Sequence, residues 1–202
     1  MADGPMAGLR FEELSNARLQ EVLPELARLR IEVFRAFPYL YEGSEAYERA
    51  YLQTYAQDPE AVVIACIADG RLVGAATALP LRGEPDTVTR PLREAGYDID
   101  RIFYFGESVL EPAYRGRGIG VRFFQERLAA ARRSGRYDTA LFCAVIRPDD
   151  HPARPADHVP LDAFWTKRGF HRIEGLTCRF AWKDVGEPRE TAKPMAYWIK
   201  SL

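Results

Sequence analysis

The sequence predicts an α/β (α+β) protein with a mixed, mostly antiparallel central sheet and helices on both faces. Three observations carry this. Apolar, β-branched segments at Ala61 to Ala68 and Leu72 to Leu81 flank Asp69-Gly70, a strong hairpin signal. Apolar residues recur at three- and four-residue spacing in Ala17 to Phe37 and in Ile119 to Arg133, marking amphipathic helices. Strand-like runs alternate with these, so hairpins and crossovers both occur, which suits a mixed sheet better than a doubly wound parallel one.

Taken in order, Gly8 to Leu14 can form a first strand. The helix from Ala17 follows, with Pro24 as a point where it kinks or restarts. Ser44 is an N-cap candidate for a second helix to Ala56, which Asp58-Pro59 stops. After the hairpin comes a polar stretch with a short helix near Val88 to Ala95, then a strand from Ile102 to Leu110. That strand runs directly into a glycine-rich loop and the helix at Ile119. Thr139 to Ile146 is a strand, Leu161 to Lys167 a short helix, and Phe170 to Trp182 with Met195 to Ile199 a closing strand pair. No repeat, low-complexity tract or linker interrupts this alternation, so a single domain over 1–202 is expected.

The totals exclude several classes. Hydrophobic residues at 47% and charged residues at 28% are the balance of a soluble globular chain. A formal charge of -1 supplies no global field toward nucleic acid or an anionic membrane, although seven of the arginines fall between Arg115 and Arg136. No apolar run approaches the ~20 residues of a membrane span, and Met1 to Gly8 lacks the basic start and apolar stretch of a signal peptide, so a cytoplasmic location is the default. Cys66, Cys143 and Cys178 each lie in an apolar run and read as buried free thiols.

The chemistry points to Arg115-Gly116-Arg117-Gly118-Ile119-Gly120. A strand, three glycines and a helix start form the arrangement in which successive N–H groups converge on an anion. Arg115 and Arg117 add charge beside them, which suits a pyrophosphate. A nucleotide P-loop would end in Gly-Lys-Ser/Thr, where this chain has Gly120-Val121-Arg122. A dinucleotide loop needs a three-residue step to its last glycine, where these glycines are spaced by two.

Leu110-Glu111-Pro112-Ala113-Tyr114-Arg115-Gly116-Arg117-Gly118-Ile119-Gly120 resembles the strand end, Pro turn and Arg/Gln-x-x-Gly-x-Gly/Ala pattern of the GCN5-related N-acetyltransferase (GNAT) superfamily. Ala163-Phe164-Trp165-Thr166-Lys167-Arg168-Gly169-Phe170 is similar to the family's Phe-Tyr-x-x-x-Gly-Phe, and the element order extends the resemblance from Leu9 to about Leu202. The resemblance implies the acyl-CoA N-acyltransferase fold with splayed fourth and fifth strands, here Phe103 to Leu110 and Leu141 to Ile146. It implies acetyl-CoA as co-substrate, no metal, and transfer of acetyl to an amine by direct attack. The pantetheine arm would lie along Val109 and Leu110, and the pyrophosphate on the amides from Arg115 to Gly120. Lys167 or Arg168 would meet the 3'-phosphate, or form a solvated salt bridge. The Leu110 N–H would stabilise the oxyanion.

An amine attacks a thioester only when neutral, and alkyl amines with a pKa of about 10 are mostly protonated near neutrality. Glu107, a carboxylate in an otherwise apolar strand, is the candidate base; a carboxylate facing solvent or pairing an arginine is the alternative. Family members often protonate the departing thiolate with a tyrosine, in the place of which this chain has Trp165. An indole N–H cannot serve, so either another tyrosine such as Tyr104 or Tyr114 substitutes or no acid is needed; solvent protonation is the expectation, with Trp165 as an apolar wall beside the cofactor. Phe37-Pro38-Tyr39-Leu40-Tyr41 is the other candidate: an acceptor wall built from Phe37, Tyr39 and Tyr41, or equally a hydrophobic staple between helices. The proline-rich segment 147–160, with His151 and His158, reads as an acceptor-recognition loop or a plain surface loop; its ligand spacing is too loose for a metal site. A small-molecule amine is the expected partner, with no nucleic acid or membrane, and a homodimer is allowed. A protein N-terminal or lysine acetyltransferase, or a silent acyl-CoA-binding module, are the alternatives.

Overall fold

A computed structural model of the chain describes Met6 and residues 8–202; of the N-terminal segment read for a leader, Met1 to Pro5 and Ala7 lie outside the described residues. The elements in chain order are β1 (Leu9–Glu13), α1 (Asn16–Phe34), α2 (Glu45–Gln57), β2 (Val62–Ala68), β3 (Arg71–Pro80), α3 (Asp86–Glu94), β4 (Ile102–Leu110), α4 (Ile119–Ser134), β5 (Thr139–Val145), α5 (Asp162–Thr166), β6 (His171–Trp182) and β7 (Thr191–Ser201).

Local chemistry accounts for most boundaries. The Ser15 side chain accepts from the Arg18 N–H and starts α1, and Ser44 does the same for α2 through Tyr47. Pro24 stays inside α1 without ending it. Burial of Leu19, Val22, Leu23, Leu26, Ala27 and Leu29 on one face holds the helix through the lost hydrogen bond. The helix stops at Phe34 instead of Phe37, because the residues before Pro38 are steered out of helical geometry and the Tyr41 N–H turns back onto the Phe34 carbonyl at 2.8 Å. Between β2 and β3, Asp69 and Gly70 take φ of 50° and 76°, the left-handed pair of a tight hairpin turn.

The strands form one seven-stranded sheet in the order β1-β2-β3-β4-β5-β7-β6. All neighbours are antiparallel except β4 and β5. Alternation divides the core between the two faces: Val63, Ala65 and Ile67 pack under α1 to α3, and Val62, Ile64 and Cys66 under α4. The β4–β5 pairing lasts only from Ile102↔Thr139 to Tyr104↔Leu141, while β4 stays on β3 to Gly74↔Leu110 and β5 stays on β7 to Val145↔Met195. Each strand thus follows its other neighbour, and a wedge opens between them from Phe105 onward.

Candidate active site

The wedge is shaped by a slip in β4. Its pairing with β3 steps from Ala78↔Phe105 to Ala76↔Ser108, so Gly106 and Glu107 stand opposite the single residue Thr77, as in a β-bulge. One extra residue exchanges the two faces for everything beyond it. Phe103 and Phe105 point to the α4 side, but Glu107 and Val109 point to the α1 side and Leu110 returns to the α4 side. A glycine is required at 106, where a β-carbon would stand 2.2 Å from the Tyr55 hydroxyl. Arg127 of α4 stitches the slip together: its Nη1 donates to the carbonyls of Thr77 and Glu107, both at 3.2 Å, and its Nη2 to Ser108 Oγ at 2.8 Å.

Beyond the slip the main-chain groups alternate in direction. The Glu111 N–H donates to the Val73 carbonyl at 2.9 Å, and the Val109 carbonyl lies 3.1 Å from where a β-carbon on Gly74 would stand. Val109 therefore spends its main-chain groups on β3, while those of Ser108 and Leu110 face the wedge. Ser108 is exposed in the middle of the sheet, and the Val109 side chain is fully buried.

From Leu110 the chain makes a short 3-10 turn (Pro112–Tyr114) and enters α4. Gly116 and Gly118 adopt φ of 77° and 88°, positions that a residue with a β-carbon rarely takes. The Arg115 amide is already taken by the Pro112 carbonyl, and the first α4 bond runs from the Arg122 N–H to the Gly118 carbonyl. Among the described residues no acceptor meets the six amides from Gly116 to Val121. Arg115 and Arg117 flank this run on the surface. Six free donors at a helix N-terminus, beside two guanidinium groups, fit a pyrophosphate in shape and charge. Gly120 has a different reason to be small, since a β-carbon would lie 3.3 Å from the Phe164 ring.

On the opposite face, α1 and α2 bring charges to the wedge. The Glu107 carboxylate receives the Tyr51 hydroxyl at 3.1 Å and the Tyr55 hydroxyl at 3.4 Å on Oε2, and Arg30 Nη1 lies 2.5 Å from Oε1. Arg30 also binds Glu48, which is wholly buried. Burial pulls the Arg30 pKa down, but the charges of Glu107 and Glu48 more than offset it and hold the guanidinium above its ordinary range. Tyr51 and Tyr55 are pushed well above 10, first by burial and then by Glu107, so both remain hydrogen-bond donors near neutrality. Glu84, half-buried after the 3-10 turn Leu81–Gly83, has neither an ion-pair nor a side-chain hydrogen-bond partner among the described residues. Burial and the Glu107 charge raise its pKa to about 7.

Residues 26–170 match the Acetyltransferase (GNAT) family. The chain belongs to that family. Family members use acetyl-CoA, and this protein is an acyltransferase enzyme. Solved structures share the fold at low identity. A protein of Acinetobacter baylyi ADP1 superposes with a TM-score of 0.64 at 18% identity, covering 96% of this chain and 92% of that one. The ribosomal-protein-alanine N-acetyltransferase of Brucella melitensis gives 0.62 at 15%, covering 96% and 99%. The yncA protein of Salmonella typhimurium, solved with its cofactor acetyl-CoA, gives 0.60 at 11%, covering 96% and 94%. No curated protein matches the sequence.

The other residues singled out in this GNAT sequence are distributed as follows. Trp165 packs on Phe142 and Trp198, with ring centroids 5.1 and 5.0 Å away, while its neighbour Phe164 covers Gly120. Lys167 is exposed at the end of α5. Arg168 lies over the Phe164 ring at 3.5 Å with no carboxylate partner among the described residues. Phe37 meets His158 at 4.7 Å and His151 at 5.7 Å. Tyr39 turns inward between Phe34 and Trp182, and its pKa rises to about 12 through burial, then through Cys143 and Glu107. Tyr41 goes elsewhere, to Tyr47 and an isolated bridge with Asp184.

Arg147 anchors the 147–160 segment, donating to the Pro38 and Tyr39 carbonyls and to both oxygens of Asp184 at 2.8 to 3.0 Å. Burial pushes Asp184 up, but Arg147 and Lys193 win and leave its pKa lowered. Surface pockets of about 230 and 390 Å³ lie beside Tyr47 and beside Leu40. Neither is lined by the Gly116–Val121 run or by β4, although Tyr41 lines the first and His151 to Ala153 of the 147–160 segment line the second. Among the described residues no group of His, Cys, Asp and Glu is arranged to hold a metal ion, and no helix is long and apolar enough to cross a membrane.

Sequence reasoning missed Arg30, Glu48, Tyr51, Tyr55, Glu84, Ser108 and Arg127. Only Arg127 left a trace: a charged residue at the place of a helix turn otherwise filled by Phe123, Phe124 and Leu128.

Proposed function

We propose that the protein transfers acetyl from acetyl-CoA to the primary amine of a small molecule by direct attack in a ternary complex. One observation carries this: the wedge has six free amides of the Gly116–Val121 run at its α4 end and a carboxylate–tyrosine cluster on the α1 face. The amides suit the pyrophosphate, and the Ser108 and Leu110 main-chain groups suit a pantetheine arm laid along β4 as an added strand would be. Arg168, over Phe164 beside Gly120, and Lys167 directly follow α5 and suit the remaining phosphate. The acetyl thioester supplies the electrophile. The Leu110 N–H serves its oxygen, and Trp165 closes the apolar side of the wedge.

Glu84, which has no cation partner among the described residues, gives the α1 face its affinity for an ammonium group, and Tyr39 with Phe37 and His158 supplies the aromatic wall. The proton leaves the amine for Glu107, held in place by Tyr51 and Tyr55, or for Glu84, whose pKa of about 7 is that of a base half-ionised at neutrality. Direct attack is favoured because the thiol at the wedge, Cys143, is buried, lies 3.5 Å from Cys178 Sγ, and is pushed well above its ordinary pKa by burial. A neutral buried thiol is a poor nucleophile.

The test is thiol release from acetyl-CoA across a panel of small aliphatic and aromatic amines, with N-terminal peptides and lysine peptides as separate arms. Saturable release with small amines supports the proposal. Release confined to peptides, or coenzyme binding with no turnover on any acceptor, overturns it.

A further inference from the structure

Besides the main-chain carbonyls at the slip, the buried Arg127 guanidinium binds one side chain, that of Ser108. Arg127 is 2% exposed, and no carboxylate lies within ion-pair distance of it among the described residues. Its N–H groups go to oxygens instead: Nε to the Phe123 carbonyl at 3.2 Å, Nη1 to the Thr77 and Glu107 carbonyls, and Nη2 to Ser108 Oγ at 2.8 Å, the shortest of the four. The contacts to the Thr77 and Glu107 carbonyls tie α4 to the main chain at the slip in β4. The Ser108 contact does something else. A hydroxyl that accepts from a charged donor keeps its own proton free to give, and donates it more strongly. That hydroxyl is carried by an exposed residue at the mouth of the wedge, two positions from Leu110 on the same face of β4.

We propose that the Ser108 hydroxyl, polarised by Arg127, is a second hydrogen-bond donor to the acetyl oxygen as negative charge develops there, beside the Leu110 N–H. Ser108 is then a catalytic residue, and Arg127 a positioning residue that acts through it. In the step concerned the amine nitrogen bonds to the carbonyl carbon and the carbonyl π pair moves onto oxygen, where Ser108 and Leu110 donate to it. Collapse re-forms the carbonyl, the C–S bond breaks with its electron pair leaving on sulfur, and the amine proton goes to the carboxylate. Ser108 keeps its own proton throughout. This rests on the acetyltransferase reading and explains how the chain manages with Trp165 where a tyrosine would be expected: the oxygen, not the leaving sulfur, receives the extra donor.

The experiment measures thiol release from acetyl-CoA with the first small amine that the wild-type protein acetylates, and with water where no amine is added. Ser108→Ala is expected to lower kcat by about 100-fold. KM for acetyl-CoA and the Kd of coenzyme A should change less than about threefold, and Ser108→Thr should recover most of the rate. Arg127→Lys should lower kcat, and adding it to Ser108→Ala should cost little more, because the arginine acts through the serine. Wild-type turnover with Ser108→Ala within twofold, or losses that multiply in the double variant, overturn this inference alone. Coenzyme binding without any thiol release by the wild-type protein overturns the transferase reading and this inference with it.

Discussion

The two faces of the wedge are built by different means. On the α4 face the donors are main-chain amides in one continuous segment, Gly116 to Val121, aligned by two left-handed glycines and a helix start. On the α1 face the polar groups are side chains that meet only in three dimensions: Arg30 from α1, Glu48, Tyr51 and Tyr55 from α2, Glu84 after β3 and Glu107 from β4. The first face is tolerant, because an amide survives almost any substitution that keeps the backbone. The second is brittle, since the buried charges of Arg30, Glu48 and Glu107 each depend on a partner from elsewhere in the chain.

The sharpest way to break that contrast is at Arg30. Arg30→Met leaves Glu48 and Glu107 buried without their cation, which for a buried pair costs roughly 3–5 kcal/mol. A large drop in Tm and in the urea midpoint is expected, and unchanged stability would show that the α1 face is not a charge network. Next comes Gly118→Val. A β-branched residue at φ 88° is strained whatever space surrounds it, so the loop must change its path and disrupt the run of free amides proposed to hold the pyrophosphate. Losing about two charge-assisted bonds weakens coenzyme A binding roughly 100-fold, read by calorimetry, with Tm little affected. Unaltered affinity would remove the loop from the site.

The same contrast decides what the sequence could disclose. The loop was legible because its chemistry is local: glycine spacing, a helix signal and adjacent arginines state it within a dozen residues. The sheet was legible in outline because alternation and the Asp69-Gly70 turn are local too. Glu107 was visible as an odd carboxylate in an apolar strand, but not its direction. Plain alternation from Phe103 and Phe105 would aim it at α4, and the slip opposite Thr77, invisible to a period-two pattern, turns it to Arg30 and the tyrosines. Glu84 gave no signal at all. It follows Gly83 in a polar turn, and only the folding of β4 beside it buries the carboxyl and sets a second negative charge nearby. Phe37 and His158 lie far apart in sequence, and Arg147, through the Pro38 and Tyr39 carbonyls, holds their two segments together.

The two carboxylates can be separated by pH. Glu84 has its folded pKa raised to about 7, so the folded protein holds an extra proton between the ordinary carboxyl range and pH 7. Its contribution to stability is complete below that ordinary range and is lost as pH rises through about 7. Glu84→Gln should therefore stabilise the protein more at pH 8 than at pH 5, which a Tm series at the two values reads directly. If Glu84 takes the amine proton, kcat/KM rises through pH 7 in the wild-type protein and that limb disappears in Glu84→Gln, with a loss of about tenfold or more. Glu107→Gln keeps the limb in that case. A limb that vanishes only in Glu107→Gln returns the role to Glu107.

The smallest effect is expected at Trp165, which packs against the core on the α4 side of the sheet. Its ring is fixed by Phe142 and Trp198, which are 6.2 Å apart and parallel to each other. Trp165→Tyr keeps an aromatic ring there and adds a hydroxyl. A coenzyme thiol with a pKa of about 8.5 leaves as a tolerable anion, so an added acid gains little. With the extra donor placed at the oxygen by Ser108, turnover should change less than about threefold, and the lost ring area should cost no more than about 1.5 kcal/mol of stability. A tenfold rise in kcat would show that protonation of sulfur limits the reaction. It would also shift the burden from the donors at the acetyl oxygen to the leaving group.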